Sequence, residues 1–476
     1  MTTHTALSDP HPLVLEAQSR IATGPHQTRP LTNSVGPDPL EVLRLVIASV
    51  NAPGDAPMAS PAQVGSFLAA MSIRRSFLDA TGWSEDERHA VSRCETDLSA
   101  LPPPYDFLFD PGSPPPVRDE VDTPLVRALQ EILLGRNLDY DRARAATEAV
   151  LSPDAHPALA AAFLIGQRMN LETYEEFCAH LDAVFDRSVV QPVNVDTLTH
   201  IGEPYNGSAR FFKPTLFVAM VRAAQDHRSL LHGVDRLPPK FGVTEEGILS
   251  ASGAEVDLSL SQAARLIENP EVGFAYVSQR VFAPRAYAAA ELRHHIGKRP
   301  PWAATEKAQR LLQARRNIAV IGFYHPGYEH IHLKLMQEER LDAGLLVKGE
   351  EGTSQFSLRP RDPRQDGLHR VNHVEGFRGA ERIAEALDPT AYGFSYDASP
   401  RADRVTTEAF AKEGRNALSG EPGPNLDRIV LNAAALNVLL GNDPNPGVAV
   451  EHVRETIATG DALRRLDAYI EHTRAF

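Results

Sequence analysis

The sequence predicts an α/β fold: a small helical domain, then a larger domain with a mainly parallel central sheet, and an extra helical extension in front of both. Three observations predict it. Asn317–Phe323 is a short, continuously apolar run, Pro326 opens a helical segment to about Glu338, and Leu345–Val347 reads as a second buried strand. Strand, helix and strand at this spacing form a parallel crossover unit. Before residue 188, apolar residues recur at helical spacing, and after about 400 the chain returns to helix, with Ile429–Leu440 apolar on most faces and His452–Ile470 amphipathic.

Taken in order, residues 1–38 are rich in Pro, Thr, His and Ser and read as a mobile tail. Residues 39–98 form the helical extension. Within it Ser60-Pro61 supplies a capping hydroxyl and a first-turn proline, followed by Val64, Phe67, Leu68 and Met71 at helical spacing. Proline triplets at 102–104 and 114–116 make residues 99–122 a semi-rigid linker. Residues 123–188 form the small helical domain. There His156-Pro157 precedes Leu159, Phe163, Leu164 and Met169 in the phase of the Ser60-Pro61 phrase, a weak repeat that predicts extra helices packed on the first set. Residues 189–476 form the α/β domain, opening with a β-branched strand at Val189–Val195, a turn, and a helix over Pro214–Ala224.

Composition narrows the function. With 476 residues, 42% hydrophobic and 23% charged, the chain holds a sizeable core in two or three domains. No apolar run reaches the roughly 18 residues of a membrane helix, the N-terminus lacks a secretory pattern, and two cysteines cannot build a disulfide framework, so a cytoplasmic protein is expected. A net charge of −14 disfavours a dedicated nucleic-acid binder. Locally, residues 285–316 carry eight basic side chains against two acidic ones, which reads either as a solvated helix and loop or as an anion-facing surface. His325, His330 and His332 do not share one helix face, so a metal site there is set aside in favour of His325 capping a helix start.

Four phrases, in order, carry a resemblance. They are Ala161–Met169 with Glu172–Glu176; His232-Gly233 with Lys240–Glu245 and Gly253; Asn317–Phe323 with His325-Pro326 and Lys348–Gly352; and Leu431–Ala435 with Ala458–Ala462. From about Leu125 to Ala475 the chain resembles the anthranilate phosphoribosyltransferase and nucleoside phosphorylase class II group, a glycosyltransferase family. The resemblance implies a phosphoribosyl donor bound between a helical and an α/β domain, and a dimer paired through the helical one.

The sequence departs from that pattern where the family holds the donor. The family's glycine-rich loop presents backbone amides to a diphosphate, which only side-chain-free backbone can approach closely. Here His200–Ser208 stands in its place: only Gly202 and Gly207 remain, Pro204 lacks an amide hydrogen, and Glu203 adds negative charge. The next phrase becomes Phe211–Thr215, in which Thr215 survives and Lys213 either faces an anion or is an exposed lysine before a helix. The family's aspartate–glutamate pair for magnesium is missing, since Thr353–Phe356 follow Gly352. Glu350 and Glu351 stand nearby, either solvated or, at Glu351, as a displaced magnesium ligand.

The resemblance and these departures point to a divergent transferase, moving a phosphoribosyl or other glycosyl group from a phosphorylated sugar or other anionic small molecule to an unknown acceptor. Candidate anion and substrate residues are Gly202, Asn206, Gly207, Ser208, Lys213, Thr215, His232, Gly233, Lys240, Thr244 and Arg293, the last near the family's acceptor-binding arginine; Mg2+ is the candidate cofactor. The alternative is a non-catalytic nucleic-acid-binding or regulatory protein on the same fold.

Overall fold

The structure is a computed structural model that describes residues 7–51, 58–78, 80–116, 123–325, 327–361 and 371–476. The chain divides into two compact units. One comprises residues up to Phe185 together with Arg285–Thr305; the other comprises Asp186–Pro284 and Glu306–Phe476.

The helical unit is built on two helices, Pro61–Ile73 and Pro157–Asn170, which pack on each other and are buried on nearly every face. They are the two related phrases of the sequence. Ser60 caps the first through a reciprocal box with Gln63, and His156 accepts the Ala158 N–H at 3.2 Å in the second. Their approach is close because Gly65 has no side chain: a Cβ there would fall 2.2 Å from the Ala158 carbonyl oxygen.

Three boundaries differ from the sequence expectation. The expected tail contains a helix, Pro12–Ile21, whose Val14, Ala17 and Ile21 are fully buried; their spacing puts them on one face, a stripe hidden among prolines and histidines. Tyr105–Phe109, inside the expected linker, is a short helix that buries Phe107 and Leu108 completely, and residues 117–122 lie outside the described residues. Residues 285–305, assigned by sequence to the α/β domain, return to the helical unit. There His295 contacts the Ser60 hydroxyl at 2.6 Å, and Trp302 is buried.

The α/β unit has a two-stranded parallel sheet, β1 (Gln191–Pro192) with β5 (Leu312–Gln313), and a seven-stranded sheet. The latter comprises β2 (Thr197–Gly202), β3 (Arg228–Gly233), β4 (Phe274–Ser278), β6 (Arg316–Gly322), β7 (Ala343–Lys348), β8 (His373–Arg378) and β9 (Glu381–Ala386), in the order β4-β3-β2-β6-β7-β8-β9. The first five are parallel and the last two pair antiparallel. The strand expected at Val189–Val195 is therefore only the short β1, and the central strand is the neighbouring Thr197–Gly202 run. The crossover helix after β6 starts at Glu329, with Tyr328 rather than His325 before it, and Pro326 lies outside the described residues. Strands β2, β3 and β6 each end in glycine at the carboxyl edge, where α/β sheets place their ligands.

Candidate functional site

At that edge the glycines admit the chain itself. A Cβ on Gly202 would stand 1.9 Å from the Lys307 carbonyl oxygen, so backbone crosses directly over the end of β2. Gly207, at φ +71, lies against Gly242, with a Cβ position 2.5 Å from the Gly242 carbonyl. An antiparallel bridge fixes this contact, Ser208 and Val243 exchanging N–H···O bonds of 2.8 Å. Asn206, almost fully buried, accepts the Gly242 N–H on its carbonyl at 2.9 Å.

Two carboxylates occupy the positions around this loop. Glu203, directly after β2, is 2% exposed. It accepts from the Lys213 ammonium at 3.1 Å, the Thr215 hydroxyl at 3.3 Å, the Ser354 N–H at 2.9 Å and the Ser354 hydroxyl. Lys213 also pairs with Glu245 at 3.0 Å and is fully buried. Burial opposes its charge, but the two carboxylates outweigh it and hold the Lys213 pKa above its ordinary value. Burial, opposed by Lys213 and reinforced by Glu203, pushes the Glu245 carboxyl up. Lys213 is thus neither an exposed lysine nor an ammonium offered to solvent.

The second carboxylate is Glu351, 3% exposed at its side chain. It accepts the Ala209 N–H at 3.3 and 3.2 Å on its two oxygens, the Arg210 N–H at 3.2 Å, and the Lys240 ammonium at 2.6 Å. Burial alone would raise its pKa; Lys240 and the two backbone amides outweigh burial and hold it below the ordinary carboxylate value.

Glu350 faces other partners: the Ser357 hydroxyl at 2.6 Å, the Ser399 hydroxyl and the Arg428 guanidinium at 3.1 Å. The two adjacent carboxylates therefore do not converge on one point. Among the described residues no three His, Cys, Asp or Glu side chains come together to hold a metal ion. Glu351 as placed does not fit the expected magnesium ligand.

The remaining candidates cluster around the end of β3. His232 is buried, its Nδ1 is 2.5 Å from the Tyr205 hydroxyl, and burial pushes its pKa down to about 4, so it is a neutral hydrogen-bonding group. Gly233 follows it beneath the Tyr276 hydroxyl. Lys240 also donates to the Gly207 carbonyl at 2.7 Å. Thr244 caps the helix Glu245–Ala251 by accepting the Gly247 N–H. Arg293 lies instead in the helical unit and is 4% exposed.

Sequence reasoning did not count Tyr205, Ser354, Glu245 and Glu246 among the site residues. Glu246 accepts from the Tyr276 hydroxyl at 3.0 Å and Arg280 at 2.7 Å, and burial pushes its pKa up to about 7. The sequence signal for Glu245 and Glu246 was present but ordinary, two acidic residues in the first turn of a capped helix.

Comparison with known proteins follows the same lines. A family model described as the glycosyl transferase family, helical bundle domain, matches residues 126–188. An anthranilate phosphoribosyltransferase of Stenotrophomonas maltophilia is 27% identical over 332 residues, covering 68% of this chain and 91% of the relative. That of Dechloromonas aromatica is 26% identical and covers 73% and 98%. The chain is thus similar to anthranilate phosphoribosyltransferases over 68–73% of its length, and residues 126–188 match the helical bundle domain of the glycosyl transferase family.

Solved structures agree on the fold. Anthranilate phosphoribosyltransferase from Thermus thermophilus superimposes with a TM-score of 0.57 at 22% identity, over 73% of this chain and 99% of that one. The Saccharomyces cerevisiae protein gives 0.61 at 16% identity, over 75% and 100%. One structure of the yeast protein is a complex with PRPP and Mg. No helix among the described residues is long and apolar enough to cross a membrane.

Proposed function

We propose that the chain is a divergent glycosyltransferase that moves a phosphoribosyl or related glycosyl group from an anionic sugar donor to an acceptor, with a donor site rebuilt so that it does not use a magnesium diphosphate. The observation that carries this reading is the Glu203 carboxylate, enclosed by Lys213, Thr215 and Ser354 beside the end of β2. An ammonium, a hydroxyl and a backbone amide are the donor types that hold phosphate oxygens, and here they hold the protein's own carboxylate. A second anion in the same place would meet its full repulsion in a water-poor site.

Transfer through a cation-like sugar centre asks the protein mainly to position two substrates and to stabilise the departing anion. Lys240 and the Ala209 and Arg210 amides are suited to the anion. The Tyr205–His232 pair, its imidazole held neutral at physiological pH by burial, is suited to orienting a hydroxyl or amine. The nucleic-acid alternative leans on residues 285–316, but Lys307 is committed to the Gly322 carbonyl, and Arg315 and Arg316 both pair with Asp196. The proposal includes a cytoplasmic location and a homodimer, the latter checked by light scattering.

Calorimetric titration with phosphoribosyl diphosphate, with and without magnesium, tests the reading. The expected outcome is weak binding that magnesium does not improve. Tight, magnesium-dependent binding overturns it.

A further inference from the structure

The Glu351 contact has the form of an occupied anion site. Its donors belong to separate segments: the Ala209 and Arg210 amides follow the Ser208–Val243 bridge, and Lys240 comes from the loop after β3. Each donor is held independently of Glu351. Ser208 is tied to Val243 on both sides, the Arg210 carbonyl accepts the Ala402 N–H at 3.0 Å, and Lys240 is anchored on the Gly207 carbonyl at 2.7 Å. The nest is therefore preformed, and three convergent donors of this kind suit a tetrahedral oxyanion as well as a carboxylate.

The occupant, by contrast, is held under constraint. Glu351 has φ +57 and ψ +17, left-handed backbone that glutamate rarely adopts, and Gly352 follows at φ +83. The site opens to solvent at its rim: the Arg210 side chain alongside Glu351 is 53% exposed and that of Lys240 is 20% exposed. An external anion entering the nest would release Glu351 to solvent and relieve its backbone.

We infer that Glu351 is an autoinhibitory carboxylate, and that a phosphate ester binds the Ala209–Arg210–Lys240 nest by displacing it. This rests on the transferase reading only for the class of ligand, the phosphate of a sugar donor or product.

The probe is inorganic phosphate, titrated calorimetrically into the full chain and its variants, with circular dichroism confirming the fold. Glu351→Ala is expected to bind phosphate at least ten-fold more tightly than the unaltered chain. Glu351→Gln, which keeps the shape and loses the charge, is expected to gain a smaller part. The gain is expected to vanish when Lys240→Ala is combined with Glu351→Ala. No gain in whichever of the two single variants folds overturns the inference, as does a gain that survives Lys240→Ala. These outcomes are independent of the phosphoribosyl diphosphate titration, so failure of the gate and failure of the transferase reading are told apart.

Discussion

Glu203 and Glu351 are both carboxylates held by an ammonium and backbone amide at the carboxyl edge of one sheet, yet their surroundings differ. Glu203 sits in a sealed cage: its partner Lys213 is completely buried and shared with Glu245, and the hydroxyls of Thr215 and Ser354 donate to the Glu203 carboxylate itself. Glu351 sits at a rim, on the amides of a loop whose Arg210 reaches solvent. A buried charge must be paired, because removing its partner leaves it without water or counter-ion. Glu351 is itself only 3% exposed, but its partners Arg210 and Lys240 reach solvent at 53% and 20%, so they keep water as an alternative when the carboxylate leaves. The same pair of groups is thus structural in one place and displaceable in the other.

That contrast orders the expected effects. Lys213→Ala strands two buried carboxylates and is expected to cost about 3–5 kcal/mol in urea denaturation. A loss below about 1 kcal/mol would show that the cage is not sealed. Gly207→Ala places a Cβ 2.5 Å from the Gly242 carbonyl at positive φ, and is expected to cost about 2–3 kcal/mol and to loosen the nest. Lys240→Ala, at the rim, is expected to cost only about 1–2 kcal/mol. A loss as large as that of Lys213→Ala would erase the distinction between the two sites.

Glu246 adds a pH test. Its pKa is raised by burial to about 7, so its charged form is disfavoured in the folded chain. Its contribution to stability is present below the ordinary carboxyl value and is lost as pH rises towards 7, a change on the order of 3 kcal/mol. Glu246→Gln is expected to flatten the stability profile over that window, as read by thermal unfolding at a series of pH values. An unchanged slope would place the titration elsewhere.

How far the sequence reached can be judged residue by residue. The crossover unit β6–helix–β7 was legible because an apolar run, a helical run and a second apolar run keep their own periods. The packed pair Pro61–Ile73 and Pro157–Asn170 was legible from proline starts and matching stripes. Pro12–Ile21 was not, because a stripe of few apolar residues is masked by composition. The return of residues 285–305 to the helical unit leaves no local mark, since it depends on what Trp302 and His295 meet in space. At the site, the loss of the diphosphate loop was visible in Glu203 and Pro204. The partner of Glu203 was not, because Lys213 ten residues later reads equally as a surface lysine until its burial is known.

The most direct measurement is a pair of double-mutant cycles by denaturation, Glu203→Gln with Lys213→Met and Glu351→Gln with Lys240→Met. A sealed cage and a displaceable rim contact predict coupling of about 3 kcal/mol for the first pair and about 1 kcal/mol for the second. Equal couplings, or a larger one between Glu351 and Lys240, would contradict the division on which the account of this site rests.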